Sequence, residues 1–160
     1  MDQQIIDEFE HGGQKLREAV AGLSRRDLLW VPPADAEPAL GRWSIQQVVI
    51  HLMDSDLVGI DRMKRIIAED NPLLIGYNET RFAERLFYNE QSTQDAITIL
   101  DLSRRQFAGV LRRLSPETFD RTGVHNEVGR VTLAEQVKKY NQHLEHHLGF
   151  IRRKRAKLGT

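Results

Sequence analysis

Apolar residues recur at helical spacing in four long stretches of this chain, and that periodicity predicts its architecture. Ile5, Ile6, Phe9, Leu16, Ala19, Val20 and Leu23 mark a first helix from about Gln3 to Leu23. Gly12-Gly13 weaken its middle and favour a kink there. A loop follows with Pro32, Pro33 and Pro38, ending at Gly41-Arg42-Trp43. Ser44-Ile45-Gln46-Gln47 is a Ser-x-x-Gln capping box that opens a second helix. Its buried side carries Ile45, Val48, Val49, Leu52, Ile60, Met63 and Ile67, and it stops near Asp70-Asn71-Pro72 because proline disfavours helix in the residue before it.

A short helix over roughly residues 78–86 leads to a third long one. That helix starts at Ser92-Thr93-Gln94-Asp95, buries Ile97, Leu100, Phe107, Val110, Leu111 and Leu114, and ends at Ser115-Pro116. Residues 123–130 are turn-rich and read as an extended loop or tight hairpin. A second capping box, Thr132-Leu133-Ala134-Glu135, launches a last helix to about Lys157. Without repeats or a linker, the pattern predicts one all-α domain over residues 1–160, an antiparallel four-helix bundle with long crossover loops.

Composition narrows the chemistry. The 23 basic and 23 acidic residues cancel, so no global field draws the chain to nucleic acid or anionic lipid. No apolar run approaches the roughly 18 residues of a membrane span, and a cytoplasmic location is the expectation. With no cysteine, disulfides, thiolate zinc sites and a protein-borne thiol nucleophile are excluded. Any metal site must use nitrogen and oxygen ligands.

Histidines supply candidates. His143, His146 and His147 fall within five residues of the last helix. At about 100° per residue, His147 lies roughly 60° and His143 roughly 100° from the centre of the stripe Leu133, Val137, Tyr140, Leu144, Leu148 and Ile151, whereas His146 lies roughly 160° away and should face solvent. Two imidazoles at i and i+4 share a face and can grip one divalent cation if a third ligand arrives from elsewhere. Alone, such a pair is more often a solvated or core-edge pair than a metal site. His51 sits roughly 120° off the stripe of the second helix, a flank shared with Ser55, Val58 and Arg62. That angle fits a groove between helices or plain surface, and the wheel does not choose.

A family resemblance bears on the choice. Trp43-Ser44-Ile45-Gln46-Gln47-Val48-Val49-Ile50-His51-Leu52-Met53-Asp54-Ser55 resembles the W-S/T-I-x-x-V-x-x-H-L-x-D-S segment of the DinB superfamily, in particular its YfiT-like branch. Ala68-Glu69-Asp70-Asn71-Pro72 with Gly76-Tyr77-Asn78-Glu79 is similar to that branch's EDNP…YDE connection. Arg121-Thr122-Gly123-Val124-His125, Gly129 and Thr132-Leu133 resemble its loop into the last helix, and His143-Leu144-Glu145-His146-His147-Leu148 matches its H-x-x-H-H-L signature. The likeness runs from Trp43 to Ile151. It departs at Tyr140-Asn141-Gln142, where the branch is often richer in aromatic residues, and at Phe150, where a further histidine is common.

The resemblance implies an up-down-down-up four-helix bundle and a divalent metal, Zn²⁺ or Ni²⁺, held by His51, His143 and His147. It also implies a small-molecule substrate and either of two reactions, hydrolysis or S-transfer from a low-molecular-weight thiol such as bacillithiol. Three neutral imidazoles leave a metal its full charge and open positions, for a water brought toward neutral pKa or for a thiol deprotonated outright. The competing expectation is a non-catalytic bundle whose metal serves structure, dimerisation or a stress response. A homodimer is expected, since such bundles pair through helix faces.

Other polar residues read as follows. Asp54 is a possible partner for the second nitrogen of His51, or a solvated acid paired with Arg62 or a lysine. Glu145 reads as a solvated helix-face charge; His125, in a loop that the resemblance places toward the open end of the bundle, reads as a surface residue, with substrate contact the alternative. His11 has no evident partner, and Trp30 and Trp43 read as packing anchors. Arg152-Arg153-Lys154-Arg155 reads as a solvated, cationic helix end that favours the macrodipole, not a nucleic-acid patch.

Overall fold

In the computed structural model, which describes residues 1–160, the first predicted helix is two: α1 (Gln3–Glu10) and α2 (Gly12–Val20), broken at His11. The glycines matter for approach more than for bending. A Cβ on Gly12 would stand 2.3 Å from the Arg104 guanidinium, and one on Gly13 would stand 2.4 Å from Asp101 Cβ, so only glycine lets this segment lie against its neighbour. His11 caps the break, its Nδ1 2.6 Å from the Asp7 carbonyl.

A short helix α3 (Arg25–Leu29) follows, within the stretch read as loop; its own capping box, Ser24 with Asp27, explains it. Next come α4 (Ile45–Ala68), a two-residue strand β1 (Leu73–Leu74), α5 (Glu79–Arg85) and α6 (Thr93–Leu111). The hairpin β2 (Thr122–His125) and β3 (Gly129–Thr132) leads into α7 (Leu133–Leu158). Both capping boxes read from the sequence, Ser44 with Gln47 and Thr132 with Glu135, are formed. The helical bundle therefore stands, with one addition: β1 pairs parallel to β2 and β2 antiparallel to β3, giving a small three-stranded sheet. The third long helix ends at Leu111, a turn short of Ser115-Pro116.

Contact register fixes the helix directions. His51 meets His143 while Arg62, further along α4, meets Tyr140, so α4 and α7 are antiparallel. Ile45 to Leu52 pack with Ala96 to Leu100, and Ile60 to Ile66 with Phe107 to Leu111, so α4 and α6 run parallel. Gly13 lies on Asp101 and Phe9 on Phe107, making the first pair of helices antiparallel to α6. Asn141 reaches the Ile5 carbonyl and Lys15 reaches Glu145, making that pair parallel to α7. The order is up, down, down, up, and the parallel α4–α6 pair is what requires a long crossover.

Two apolar clusters form the core, and a buried ion pair joins the elements around them. Arg104 of α6 makes a bidentate contact with Asp56 of α4, including Nη2 to Oδ1 at 2.9 Å. Its remaining hydrogens reach the Phe9 carbonyl at 3.3 Å and the Tyr140 carbonyl at 3.1 Å. One guanidinium thus ties all four long arms of the bundle. No helix is long and apolar enough to cross a membrane.

Candidate metal centre

The sequence placed two histidines on the flank of the last helix and left His51 undecided. The fold resolves this. His51 is 1 % exposed, because α4 is packed on several sides and its flank residues Ser55 and Arg62 are buried with it, with Val58 half-buried. One ligand-capable atom from each of His51, His143 and His147 lies within 4.8 Å of the others. His51 Nε2 and His143 Nε2 are 3.2 Å apart, and the three ring centroids are separated by 4.6 to 5.1 Å.

These residues fit a divalent cation. Two nitrogens on a tetrahedral ion at about 2.0–2.1 Å are separated by roughly 3.3 Å, which the His51–His143 pair already matches. The Nδ1 atoms of His143 and His147 are buried with no hydrogen-bond partner, so the cluster holds more nitrogen than the protein alone satisfies. Burial pushes the His51 ring down to about 3, with His143 adding to the effect. Burial likewise takes His143 to about 4 and His147 to about 2. All three are therefore neutral near pH 7 with lone pairs available.

The surrounding shell differs from the sequence expectation. Asp54 does not orient His51: its carboxylate accepts the Tyr88 hydroxyl at 2.6 Å, and neither Arg62 nor a lysine pairs with it. The group at His51 Nδ1 is the Tyr77 hydroxyl, 3.5 Å away. Trp43 lies edge-on to the His51 ring with centroids 5.0 Å apart, so the packing anchor at the start of α4 is also a wall of the site. Glu79, the first residue of α5, brings Oε2 to 3.7 Å from His51 Nε2 while remaining 59 % exposed. With His51 neutral this is a close approach, not an ion pair. Asn78, accepting from the Arg81 amide at 2.9 Å, caps the helix that carries Glu79.

Two cavities adjoin the centre and share Glu79 and His143. The larger, about 480 Å³, is lined by Trp43, His146, His147, Phe150, Arg42 and Lys154. The smaller, about 220 Å³, lies on the other side, toward the hairpin. His146 is exposed, as the wheel indicated, and stands at the larger cavity's edge. Glu145 pairs with Lys15 at the surface.

Three readings need correction. His125 is buried, not a surface residue: it ends β2, its Nδ1 accepts from the Glu127 amide at 3.2 Å, and burial lowers its pKa. Lys154 is buried as well, donating to the Leu40 carbonyl, with burial lowering its pKa to about 8. Nor is the rest of the cationic run merely solvated. Arg153 donates to the Ala39 carbonyl at 2.6 Å and Arg155 to those of Ala19 and Ala21 at 2.9 Å each. The run staples the 38–41 turn and the end of α2 to α7.

A four-helix bundle in this order, with one buried and two half-buried neutral imidazoles converging from two helices beside a cavity, defines a class of helical proteins with a candidate metal centre. The chain belongs to the DinB superfamily, whose family model matches residues 8–151. It is 30 % identical over 146 residues to a protein of Oceanobacillus iheyensis named "Putative metal-dependent hydrolase", covering 91 % of this chain and 81 % of that one. A protein of the same name from Bacillus mycoides is 29 % identical over 153 residues, covering 96 % and 84 %. Among solved structures, YfiT from Bacillus subtilis, described as a probable metal-dependent hydrolase with an unusual four-helix bundle topology, superposes with a TM-score of 0.88 at 24 % identity, over 98 % of this chain and 86 % of that one.

Proposed function

We propose that this chain is a metal-dependent enzyme that activates a water or a small thiol against a small-molecule substrate, with His51, His143 and His147 holding one Zn²⁺ or Ni²⁺. The observation that carries the reading is the convergence of three neutral imidazoles, one buried and two half-buried, with ligand atoms within 4.8 Å. A divalent cation held there supplies Lewis acidity and brings deprotonation of a water or thiol toward neutral pH. Three protein ligands leave room for a reactant, the arrangement of catalytic rather than structural sites.

The protein's own groups do the rest. Trp43 and Tyr77 hold the His51 ring in place, and Trp43 and Phe150 give the larger cavity an aromatic lining. Glu79 reaches the mouth of the centre from both cavities and is placed to take the proton released by the nucleophile. Hydrolysis is the reaction named for the relatives. Thiol transfer is a second reading with its own support: the chain has no cysteine, so sulfur must come from a co-substrate, and two separate cavities meet at His143.

Metal analysis of the purified protein, joined to a panel of ester, amide and thiol-plus-electrophile assays, tests the proposal. One bound equivalent of Zn or Ni, and a turnover that disappears in His51→Ala without rescue by added metal, is the expected result. A wild-type protein that takes up no divalent metal would end the reading.

A further inference from the structure

Arg62 stands out among the charged side chains because it is buried without a counter-charge. It is 5 % exposed, and no carboxylate oxygen lies within 4.0 Å of it. The protein's other buried guanidinium, Arg104, is matched by Asp56. Arg62 Nη1 donates to the Tyr140 hydroxyl at 3.4 Å and Nη2 to the Ile75 carbonyl, while Nε has no partner. Arginine does not escape such a site by deprotonating, as a lysine can. The charge is therefore held against a desolvation cost that neutral dipoles offset only in part.

This guanidinium lines the smaller cavity, with Ser55, Tyr77, His125, Lys139 and Tyr140 around it and His143 of the histidine centre in the wall. Lys139 also has no carboxylate within 4.0 Å. His125 Nδ1 accepts from the Glu127 amide, so the neutral ring carries its proton on Nε2 and is a donor there. The acids that border the cavity, Glu79 and Glu127, are exposed and solvent-screened. The lining is rich in donors, with a permanent cation buried in it.

We propose that the smaller cavity is an oxyanion subsite, in which Arg62 and Lys139 receive a carboxylate or phosphate group of the substrate and so place its reactive portion against the histidine centre. This rests on the catalytic reading of that centre and adds the substrate's chemical class. Arginine's fork suits the two oxygens of a carboxylate or phosphate. A cavity of about 220 Å³ admits such a group while the remainder of the substrate extends toward His143.

Isothermal titration of the metal-loaded full chain with acetate, methylphosphonate and neutral acetamide tests this, and the two anions distinguish a carboxylate from a phosphate preference. The expected result is saturable binding of at least one anion and none of acetamide. Affinity falls about tenfold in Arg62→Met and about threefold in Lys139→Met, with metal content unchanged; Arg62→Lys retains part of the affinity. Lys139 is exposed on α7, so its variant folds even should the Arg62 variant not. Anion binding no stronger than acetamide binding, or unchanged in both variants, overturns the proposal. So does binding that survives both variants but disappears in His51→Ala, since the anion then sits on the metal; that outcome leaves the metalloenzyme reading intact. Conversely, a wild type without metal whose anion binding still depends on Arg62 and Lys139 sinks the metalloenzyme reading and supports the subsite.

Discussion

Replacing Asp56 by alanine should be among the most destabilising single changes in this protein. Asp56 and Arg104 are both essentially inaccessible to solvent, and Asp56 has no hydrogen-bond partner but Arg104. Asp56→Ala removes two charge-assisted bonds and leaves a guanidinium in the core with only the Phe9 and Tyr140 carbonyls. Breaking a buried pair from one side costs about 3–5 kcal/mol. With a urea m-value of about 2 kcal/mol/M, the unfolding midpoint should fall by roughly 2 M. Arg104→Met strands the acid instead, but a carboxyl can take up a proton, so that cost should shrink as pH falls while the Asp56→Ala cost does not. Asp56→Ala combined with Arg104→Met removes both charges and should cost much less than the two single changes summed, giving strong coupling in a double-mutant cycle. Urea titrations of the four proteins at pH 7.5 and 5.5 measure all of this. An Asp56→Ala cost below about 1 kcal/mol, or single-variant costs that simply add, would refute the assignment of this pair as the knot of the bundle.

Further outcomes follow from the centre and its surroundings. His147→Ala should lower metal affinity at least 100-fold, beyond the roughly 10–100-fold cost of losing an outer-shell partner, with little change in helix content by circular dichroism. In metal-stripped protein, His51, His143 and His147 titrate far below the ordinary value of 6.5, so the unfolded chain takes up their protons first as pH falls. Their contribution to stability is complete above pH 6.5 and is lost progressively as pH falls from there through the folded values of about 4, 3 and 2. Three such groups give a loss of up to about 4 kcal/mol between pH 7.5 and 5.5, and His143→Leu with His147→Leu should flatten that slope in urea titrations. Gly59→Ala would ordinarily favour a helix, yet its Cβ would stand 2.0 Å from Tyr140 Cζ; a net loss of about 1–3 kcal/mol and weaker metal binding are expected by thermal melts and metal titration.

Local chemistry made much of this legible before any coordinates. The capping boxes at Ser44 and Thr132 are short-range patterns whose partners lie three residues away, and both formed as read. The flank position of His143 and His147 was legible because the apolar stripe of α7 is clean enough to give a phase. The wheel failed to decide His51 for a physical reason: α4 is packed by α3, α5, α6 and α7, so a single-stripe description does not hold for it. Long-range partnerships were invisible. Asp56 and Arg104 are 48 residues apart, Lys154 and the Leu40 carbonyl 114, and nothing local marks either pair. Glu79 and Tyr77 lay inside the recognised Gly76–Glu79 segment, but only the fold shows that this connection swings back over His51. The hairpin was one of two readings for 123–130, and β1 was beyond reach because its partner strand lies about fifty residues on.

One helix carries most of these roles, and that has a consequence for specificity. On α7, Val137, Tyr140, Leu144, Leu148 and Ile151 fill the core, His143 and His147 turn toward the centre, Lys139 borders the smaller cavity, and Arg153 and Lys154 hold the 38–41 turn. Because His143 and His147 share a rigid element with the core stripe, their positions relative to His51 are set by packing, with the Asp56–Arg104 pair locking the register. The remaining walls come from connections: Gly41 to Trp43 on one side, Tyr77 to Glu79 between, and the hairpin on the other. Loops tolerate substitution far better than a packed helix does. Changes at Arg42 or Glu127 should therefore alter which substrate is accepted while leaving metal affinity nearly unchanged, whereas a misplaced Tyr140, one turn before His143, disturbs core and histidine cluster together.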